Sequence, residues 1–161
     1  MAGSGPSELI LLSAGLIVAA IVSGVLLQTW NDMDDILDER GKQGAEDVRT
    51  RASLVSDPRY IQWDTATDSA NIYLQNSGET FLDVNAIGVL LEGSNMAVTL
   101  PNSETQWLPG QNLNLNIDGT ASGLSYASGT HDVLLTFSVS STASGYTGSY
   151  TVTEEVRIVV P

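Results

Sequence analysis

The sequence has no cysteine and few basic residues, and each shortage excludes a class of function. Without cysteine there is no disulfide framework, thiol nucleophile or cysteine metal site. Only 6 Lys and Arg residues stand against 19 Asp and Glu residues, which gives a formal net charge of −13. Because nucleic-acid binding requires clustered basic side chains, we expect no nucleic-acid partner. The acids are spread from Asp32 to Glu155, which indicates a solvated surface and not an acidic binding tail.

Residues that carry chemistry are also scarce. His131 is the single histidine, and no GxSxG, P-loop or HExxH motif is present. The acidic string DMDDILDE lacks the glycine and the alternating spacing of a calcium loop, so we interpret it as a solvated helix face. The loops offer no exposed aromatic cluster that would mark a ligand site. We therefore predict no catalytic residue, no cofactor and no metal site, and we predict that the protein is not an enzyme.

A long apolar segment dominates the first part of the chain. No charged residue occurs between Leu9 and Leu27, a stretch that spans about 28 Å as a helix. A bilayer core is about 30 Å thick, so the segment fits a membrane span. A cleaved secretion signal and the spine of a helical filament are the alternatives. No Lys or Arg precedes Arg40, which argues against a secretion signal. We predict a retained helix that spans a membrane over about residues 9–30.

The start of this helix has two interpretations. Residues 1–8 form a predicted N-terminal cap, in which Ser7 caps the free amides and Glu8 lies at the positive end of the helix dipole. Alternatively, cleavage after Gly3 would make Glu8 the fifth residue, as in type IV pilins. The basic residue that usually precedes such a cut is absent. The capping interpretation is therefore favoured.

Apolar and small residues continue in steps of three and four beyond the predicted span. This stripe predicts one helix over residues 9–57, which ends at the joint formed by Asp57 and Pro58, because the residue before a proline resists helical geometry. The stripe either packs against a copy or a partner helix, or lies on the chain's own β domain. The predicted membrane or assembly helix comprises Glu8, Leu12, Leu16, Ala19, Val22, Leu26 and the interfacial Trp30; the predicted stalk contact comprises Met33, Leu37 and Val48.

Residues 58–161 show the pattern of short strands separated by turn residues. ANIYLQN, TFLDVNAIGVLLEG (with a possible kink at Gly88), MAVTL, NLNLNID, HDVLLTFSVS and SYTVTEEVRIVV are the predicted strands. Alternation places Leu113, Leu115 and Ile117 on one face. It also directs one set of side chains inward in the next strand, namely Val133, Leu135, Phe137 and Val139. The fold class is therefore mainly β with a long N-terminal α-helix, and about seven strands suggest an immunoglobulin-like antiparallel β-sandwich.

The order of these segments resembles a known family. SELILLSAGLIVAAIVSGVL, followed by ILDERG, VRTRASLVSDP, IYLQNSGETFLDVNAIGVLLEG and WLPGQNLNLNI, is similar to the FlaG (ArlG) archaellum accessory proteins of the FlaG/FlaF family. The resemblance covers nearly the whole chain. Its most specific parts are the first block and the NSGET turn that precedes a strand. The Pro-Gly turn after Trp107 is less specific.

The resemblance implies a structural role in archaeal motility. It implies a protein of the archaellum stator, anchored in the cytoplasmic membrane with its β domain in the envelope beneath the S-layer. The implied partners are a FlaF-like protein, the S-layer directly or indirectly, further copies of the chain and the membrane. The charge rule for topology points weakly the other way, because Arg40 and Lys42 follow the span and no basic residue precedes it.

Two other functions fit the same architecture. Archaellins and archaeal pilins also combine an apolar N-terminal helix with a β domain, and in such a filament Leu9–Leu27 would pack against its copies. The lack of a basic cleavage signal and the ILDERG segment favour the accessory role. The third alternative is an anchored adhesion or binding domain.

Overall fold

The computed structural model describes residues 5–142 and 145–161, and the chain divides into two compact units, Met1–Gly41 and Lys42–Pro161. The described part of the first unit consists of helix, and the second unit contains the end of that helix and a β domain. The elements in chain order are α1 (Gly5–Arg49), β1 (Ala52–Leu54), β2 (Ile61–Asp64), β3 (Ser69–Asn76), β4 (Gly88–Leu91), β5 (Ser94–Thr99), β6 (Asn112–Asp118), a 3₁₀ turn (Thr120–Ser122), β7 (Gly129–Ser140) and β8 (Ser149–Val160).

The helix α1 begins earlier than the cap that the sequence predicts. Its described part starts at Gly5 and includes Pro6, which is tolerated in a first turn because its missing N–H has no partner there in any case. Ser7 therefore lies inside the helix, and the prediction that it is the cap is wrong. Glu8 lies in the first turn, where its carboxylate meets the positive end of the helix dipole.

The helix ends at Arg49 and not at Asp57. The backbone N–H of Thr50 donates to Glu46 O (2.9 Å), and its hydroxyl donates to the same oxygen (2.8 Å), which closes the last turn. The next residues leave the helix because Ala52–Leu54 pair with Leu74–Asn76 as β1. Strand pairing thus ends the helix eight residues before the proline signal acts. The β domain accordingly begins before residue 58.

The eight strands form a barrel-like domain. Their order is β1-β3-β2-β8-β7-β4-β5-β6, and β6 pairs again with β3 along Ser69–Gln75. Two strands pass from one sheet to the other: β2 pairs first with β8 and then with β3, and β5 pairs first with β4 and then with β6. The mainly β fold with a long N-terminal helix is confirmed. The immunoglobulin-like arrangement is not, and the β2–β8 pair is parallel, unlike the antiparallel pairing predicted.

Alternation along the strands builds the core. Leu113, Leu115 and Ile117 are buried on one face of β6, as the sequence predicts. The prediction is also confirmed in β7, where the buried set is Val133, Leu135, Phe137 and Val139. Trp63 and Trp107 are the largest fully buried side chains. Because both sheets contribute to one cluster, the domain has a single hydrophobic core.

The strand predicted over TFLDVNAIGVLLEG is shorter than its pattern suggests. Asp83 interrupts it, because its side chain accepts a hydrogen bond from Asn85 N (2.8 Å) and its carbonyl accepts one from Ala86 N (3.2 Å). Pairing resumes only at Gly88, where a Cβ would lie 2.7 Å from Ser138 Oγ. Gly88 is thus the start of β4 and not a kink within a longer strand.

Candidate functional site

The apolar part of α1 is exposed along its whole length. Its large hydrophobic side chains between Leu9 and Leu27 are 51% to 73% accessible. Among the residues that the structure describes, one helix is both long enough and apolar enough to cross a membrane, and it is α1. An exposed apolar surface of this length requires a cover of lipid or of other helices, since leaving it in water is costly.

Two hydroxyl side chains in and next to this segment are satisfied by the helix itself. The Ser13 hydroxyl donates to Ile10 O (2.9 Å), and the Thr29 hydroxyl donates to Val25 O (2.9 Å). These bonds leave each hydroxyl with a partner inside an apolar surrounding, where an unpaired one would be costly. The segment is therefore suited to contact with lipid or with apolar helices.

The residues predicted for membrane or helix contact all lie on the surface of α1. The exposed residues of the predicted assembly helix are Glu8, Leu12, Leu16, Ala19, Val22, Leu26 and Trp30. Met33, Leu37 and Val48 are also exposed. Their role in contacts between chains stays a prediction. Within residues 5–142 and 145–161, no group of three or more His, Asp or Glu side chains has the geometry to hold a metal ion.

The last turns of α1 are fixed to the β domain by a set of contacts that we call the helix seat (residues 43–51, 76–80 and 147–149). Gln43 Nε2 donates to Thr147 O (2.6 Å), and the backbone N–H of Ser149 donates to Asp47 Oδ1 (2.8 Å). On the other side, Glu79 N donates to Arg49 O (2.9 Å). The helix is thus held by both the β3–β4 connection and the β7–β8 connection.

Two glycines allow the backbone of the helix end to approach this closely. A Cβ on Gly148 would meet Thr50 Oγ1 and would lie 2.6 Å from Glu46 O. A Cβ on Gly78 would meet Arg49 O and would lie 2.7 Å from Arg51 N. Real Cβ atoms do not approach other atoms this closely, so any larger residue at either position displaces the helix end.

A buried asparagine, Asn76, holds the turn of the helix seat in place by side-chain hydrogen bonds. Asn76 is 0% exposed, and its Nδ2 donates to Thr80 O (2.8 Å) and to Trp107 O (3.1 Å). Its Oδ1 accepts from Gly78 N (3.0 Å). With all three bonds made inside the domain, Asn76 fixes the NSGET turn that receives the helix.

Charge at the seat is partly compensated. Arg49 lies 3.9 Å from Glu46 and 3.6 Å from Glu79, measured between the closest side-chain nitrogen and oxygen atoms. Glu46 is almost fully buried, and its Oε1 is without a hydrogen bond among the described residues. Because the pairing of Arg49 is partly exposed, it contributes little to stability. Shape and backbone hydrogen bonds therefore dominate the attachment.

Asp57 and Pro58 lie elsewhere, in the connection between β1 and β2. Asp57 Oδ1 accepts a hydrogen bond from Arg59 N (2.9 Å), and Arg157 N donates to Pro58 O (2.7 Å). They shape a turn against β8, so the prediction that they form the joint between helix and β domain is wrong. The joint is at Thr50 and Arg51. Sequence reasoning missed it because its two glycines lie far along the chain from the helix.

The single histidine belongs to a structural cluster. His131 Nε2 lies 2.8 Å from Ala127 O, and its ring centroid is 5.1 Å from that of Tyr126. The Tyr126 hydroxyl donates to Glu92 Oε2 (3.3 Å), and partial burial together with the Glu92 charge raises the pKa of Tyr126. The tyrosine therefore stays protonated and holds the two loops together.

Comparison with known proteins matches this chain to one family model and to two proteins that share a name. A family model described as archaeal-type flagellin matches residues 2–160. A protein of Methanococcus voltae named "Putative flagella-related protein G" is 32% identical over 101 residues, which are 62% of this chain and 67% of that protein. A protein of the same name from Methanocaldococcus jannaschii is 24% identical over 115 residues, 70% of this chain and 73% of that protein. These matches confirm the resemblance to the FlaG proteins.

Among solved structures, the similarity is weak. AggA, the major subunit of aggregative adherence fimbriae type I from Escherichia coli, is 11% identical with a TM-score of 0.30, covering 70% of this chain and 94% of that chain.

Proposed function

The chain belongs to the archaeal-type flagellin family, and from that premise we propose that it is a membrane-anchored stator protein of the archaellum machinery. The role is structural and involves no catalysis and no cofactor. The observation that carries the proposal is a helix whose apolar residues are all exposed and whose far end is fixed to a β domain by backbone contacts.

The mechanism is mechanical. A rotating filament produces a counter-torque that a fixed part of the envelope must absorb. In this chain a load on the membrane segment reaches the β domain through the helix seat. On one side Glu79 N binds the backbone carbonyl of Arg49. On the other side the side chains of Gln43 and Asp47 bind the backbone of Thr147 and Ser149. Dense contact with backbone atoms suits load transfer, because close-packed interiors transmit strain.

The proposed partners follow from the surfaces left uncovered. Further copies of the chain, or the helix of a FlaF-like protein, pack on the stripe that contains Met33, Leu37 and Val48, all of which are exposed. The S-layer is engaged directly or indirectly. We place the β domain outside the cytoplasmic membrane, since its acidic and hydroxyl-rich surface suits the cell exterior.

A second candidate function is a filament subunit, either an archaellin or an archaeal pilin-like protein. The match to the flagellin family over residues 2–160 favours it, because that match includes both the apolar helix and the β domain. In this case Leu9–Leu27 packs against its copies in a filament core, and Glu8 compensates the amino terminus of a neighbour.

Cysteine crosslinking in whole cells tests the proposed helix contacts. Because the chain has no cysteine, the substitutions Met33→Cys, Leu37→Cys and Val48→Cys each introduce a single thiol. We expect oxidation to give disulfide-linked dimers from all three variants when copies of the chain pack on this stripe, and heteromers when a cysteine is also introduced in the facing helix of a FlaF-like protein. Asp35→Cys is the matched control, since its side chain lies about 160° around the helix from both Met33 and Leu37. Equal crosslinking at Asp35, or none at the three stripe positions, would contradict the proposal.

A further inference from the structure

An open groove lies on the β domain, away from the helix seat, with a cavity volume of about 880 Å³. It forms where β2 separates from β3: β2 pairs with β3 only at Trp63 and Asp64, and its other residues, Ile61 and Gln62, pair with β8. A groove of this size falls in the range of small-ligand sites, which is about 300–1,000 Å³.

Two tyrosine rings stand in this groove. Tyr60 is 59% exposed and Tyr73 is 46% exposed, although residues on either side of Tyr73 are fully buried in the core. The sequence indicated no exposed aromatic cluster in the loops; here one tyrosine comes from the β1–β2 connection and the other from β3, and both line the groove. A tyrosine offers a flat apolar face and a polar hydroxyl together, which suits ligands that are apolar on one face and polar at the edge.

Amide side chains supply the polar part of the groove. Gln62, Asn71 and Asn116 all line it, and each amide carries both donor and acceptor atoms. Asn116 Nδ2 donates to Asn71 Oδ1 (3.1 Å), which fixes the orientation of the two groups on neighbouring strands. Such a pair of planar amides matches the adjacent hydroxyls of a sugar, which also act as donor and acceptor.

The charge of the groove excludes anionic ligands. Asp57, Asp64 and Asp118 line it, and none of its described lining residues is Lys or Arg. Hydrogen bonds from Thr120 lower the pKa of Asp118, so this carboxylate stays ionised at neutral pH. Phosphates, nucleotides and acidic polysaccharides would therefore be repelled.

An extended peptide is a poorer fit than a sugar. A peptide strand that adds to a sheet needs a run of unpaired backbone groups. Here the backbone groups of Tyr73 already have hydrogen-bond partners, because its N–H donates to Ser56 Oγ (2.8 Å) and its carbonyl accepts from Val55 N (2.8 Å). Within β3, only Asn71, Ile72 and Tyr73 have no strand partner on that side, which is too short a run for strand addition once Tyr73 is bonded to the β1–β2 connection.

From this combination of tyrosine rings, fixed amides and acidic charge, we propose that the groove binds a neutral glycan chain. The rings contact the apolar faces of successive sugar residues, and the amides and carboxylates bind their hydroxyls. The proposal is independent of the helix function, so its failure leaves the stator proposal untouched.

Titration of the full chain with oligosaccharides tests the proposal. The chain, labelled with ¹⁵N-asparagine, is held in micelles of lauryldimethylamine oxide, because a maltoside detergent would itself present a sugar. Maltohexaose, cellohexaose and mannohexaose are the neutral probes, and a hyaluronan hexasaccharide is the anionic one. We expect at least one neutral probe to shift the side-chain amide signals of Asn71 and Asn116, with no shift from hyaluronan.

Variants at the rings show whether the groove is the site. Tyr60→Ala and Tyr73→Ala should each weaken binding by about tenfold, the loss expected when a stacked ring is removed. Tyr60→Phe and Tyr73→Phe keep the ring and should keep most of the affinity. Phe81→Ala, an equally exposed aromatic outside the groove, is the matched control and should bind normally. Absence of binding to all neutral probes, stronger binding of hyaluronan, or equal loss in Phe81→Ala would overturn the proposal.

Discussion

Replacing Gly148 by alanine should weaken the helix seat in a way that can be calculated from its geometry. A Cβ at this position would lie 2.6 Å from Glu46 O, whereas an ordinary carbon–oxygen contact is about 3.4 Å. The helix end must therefore move by roughly 0.8 Å. Gly148 is not among the glycines with a positive φ angle, so alanine meets no backbone strain there and the effect is steric.

That displacement breaks specific hydrogen bonds. The Ser149 N to Asp47 Oδ1 distance of 2.8 Å would lengthen to about 3.6 Å, beyond the range of a hydrogen bond. Overpacking of a dense site costs about 1–3 kcal/mol, and the loss of a partly exposed hydrogen bond adds about 0.5 kcal/mol. We therefore expect the free energy of unfolding to fall by about 2–3 kcal/mol, and the melting temperature to fall by about 10 °C.

Near-UV circular dichroism of the full chain in detergent micelles measures this melting, because Trp63 and Trp107 are fully buried and report on the core. Gly44→Ala is the matched control. A Cβ at Gly44 would meet no atom within 4 Å, so this variant should be unchanged or stabilised by up to about 1 kcal/mol through helix propensity. Equal melting temperatures for Gly148→Ala and Gly44→Ala would refute the reasoning about the seat.

Three further predictions concern Asn76, Asp132 and Leu16. Asn76→Ala should lower the free energy of unfolding by about 2–4 kcal/mol in urea titration, because it removes three hydrogen bonds made by a buried side chain; an unchanged midpoint would contradict the role of Asn76. Asp132→Asn should lower the melting temperature slightly at neutral pH and not at about pH 2. The hydrogen bond from Arg157 lowers the pKa of Asp132 below its ordinary 3.8, so its contribution is present above that value and is lost as the pH falls through the lower pKa of the folded state. Equal losses at both pH values would count against this pairing. Leu16→Arg should reduce the chain recovered in alkaline-washed membranes, since a charge at the centre of a span costs about 2.5–3.5 kcal/mol; Leu16→Phe is the control, and equal recovery of both variants would argue against a membrane span.

Local patterns predicted the parts of the fold that depend on neighbouring residues. The alternation of Leu113, Leu115 and Ile117 identified a strand and its buried face, because the two-residue period of a strand is written in the sequence itself. The lack of charge from Leu9 to Leu27 identified the exposed apolar helix, because a long uncharged run is also a local feature of the sequence. The family followed from the order of such segments.

Features that depend on distant pairing were not predictable. Pro58 carries a strong local signal for the end of a helix, but the pairing of β1 with β3 ended the helix at Arg49 first. Gly148 resembles an ordinary loop glycine until the fold brings Glu46 against it. Tyr60 and Tyr73 share a groove only because β2 passes from β8 to β3, a crossing that no local pattern contains.

The central claim is that the exposed helix anchors the chain in the membrane and is not the core of a filament. The most direct test shears filaments from cells and compares filament and membrane fractions by mass spectrometry of the N-terminal peptide. Because no Lys or Arg precedes Arg40, trypsin gives a long first peptide, whereas a Glu-specific protease cuts after Glu8 and releases a short one. We predict a chain that stays with the membrane and begins at Met1 or Ala2. A chain that is a major filament component and begins at Ser4 would contradict the stator account and establish the filament subunit in its place.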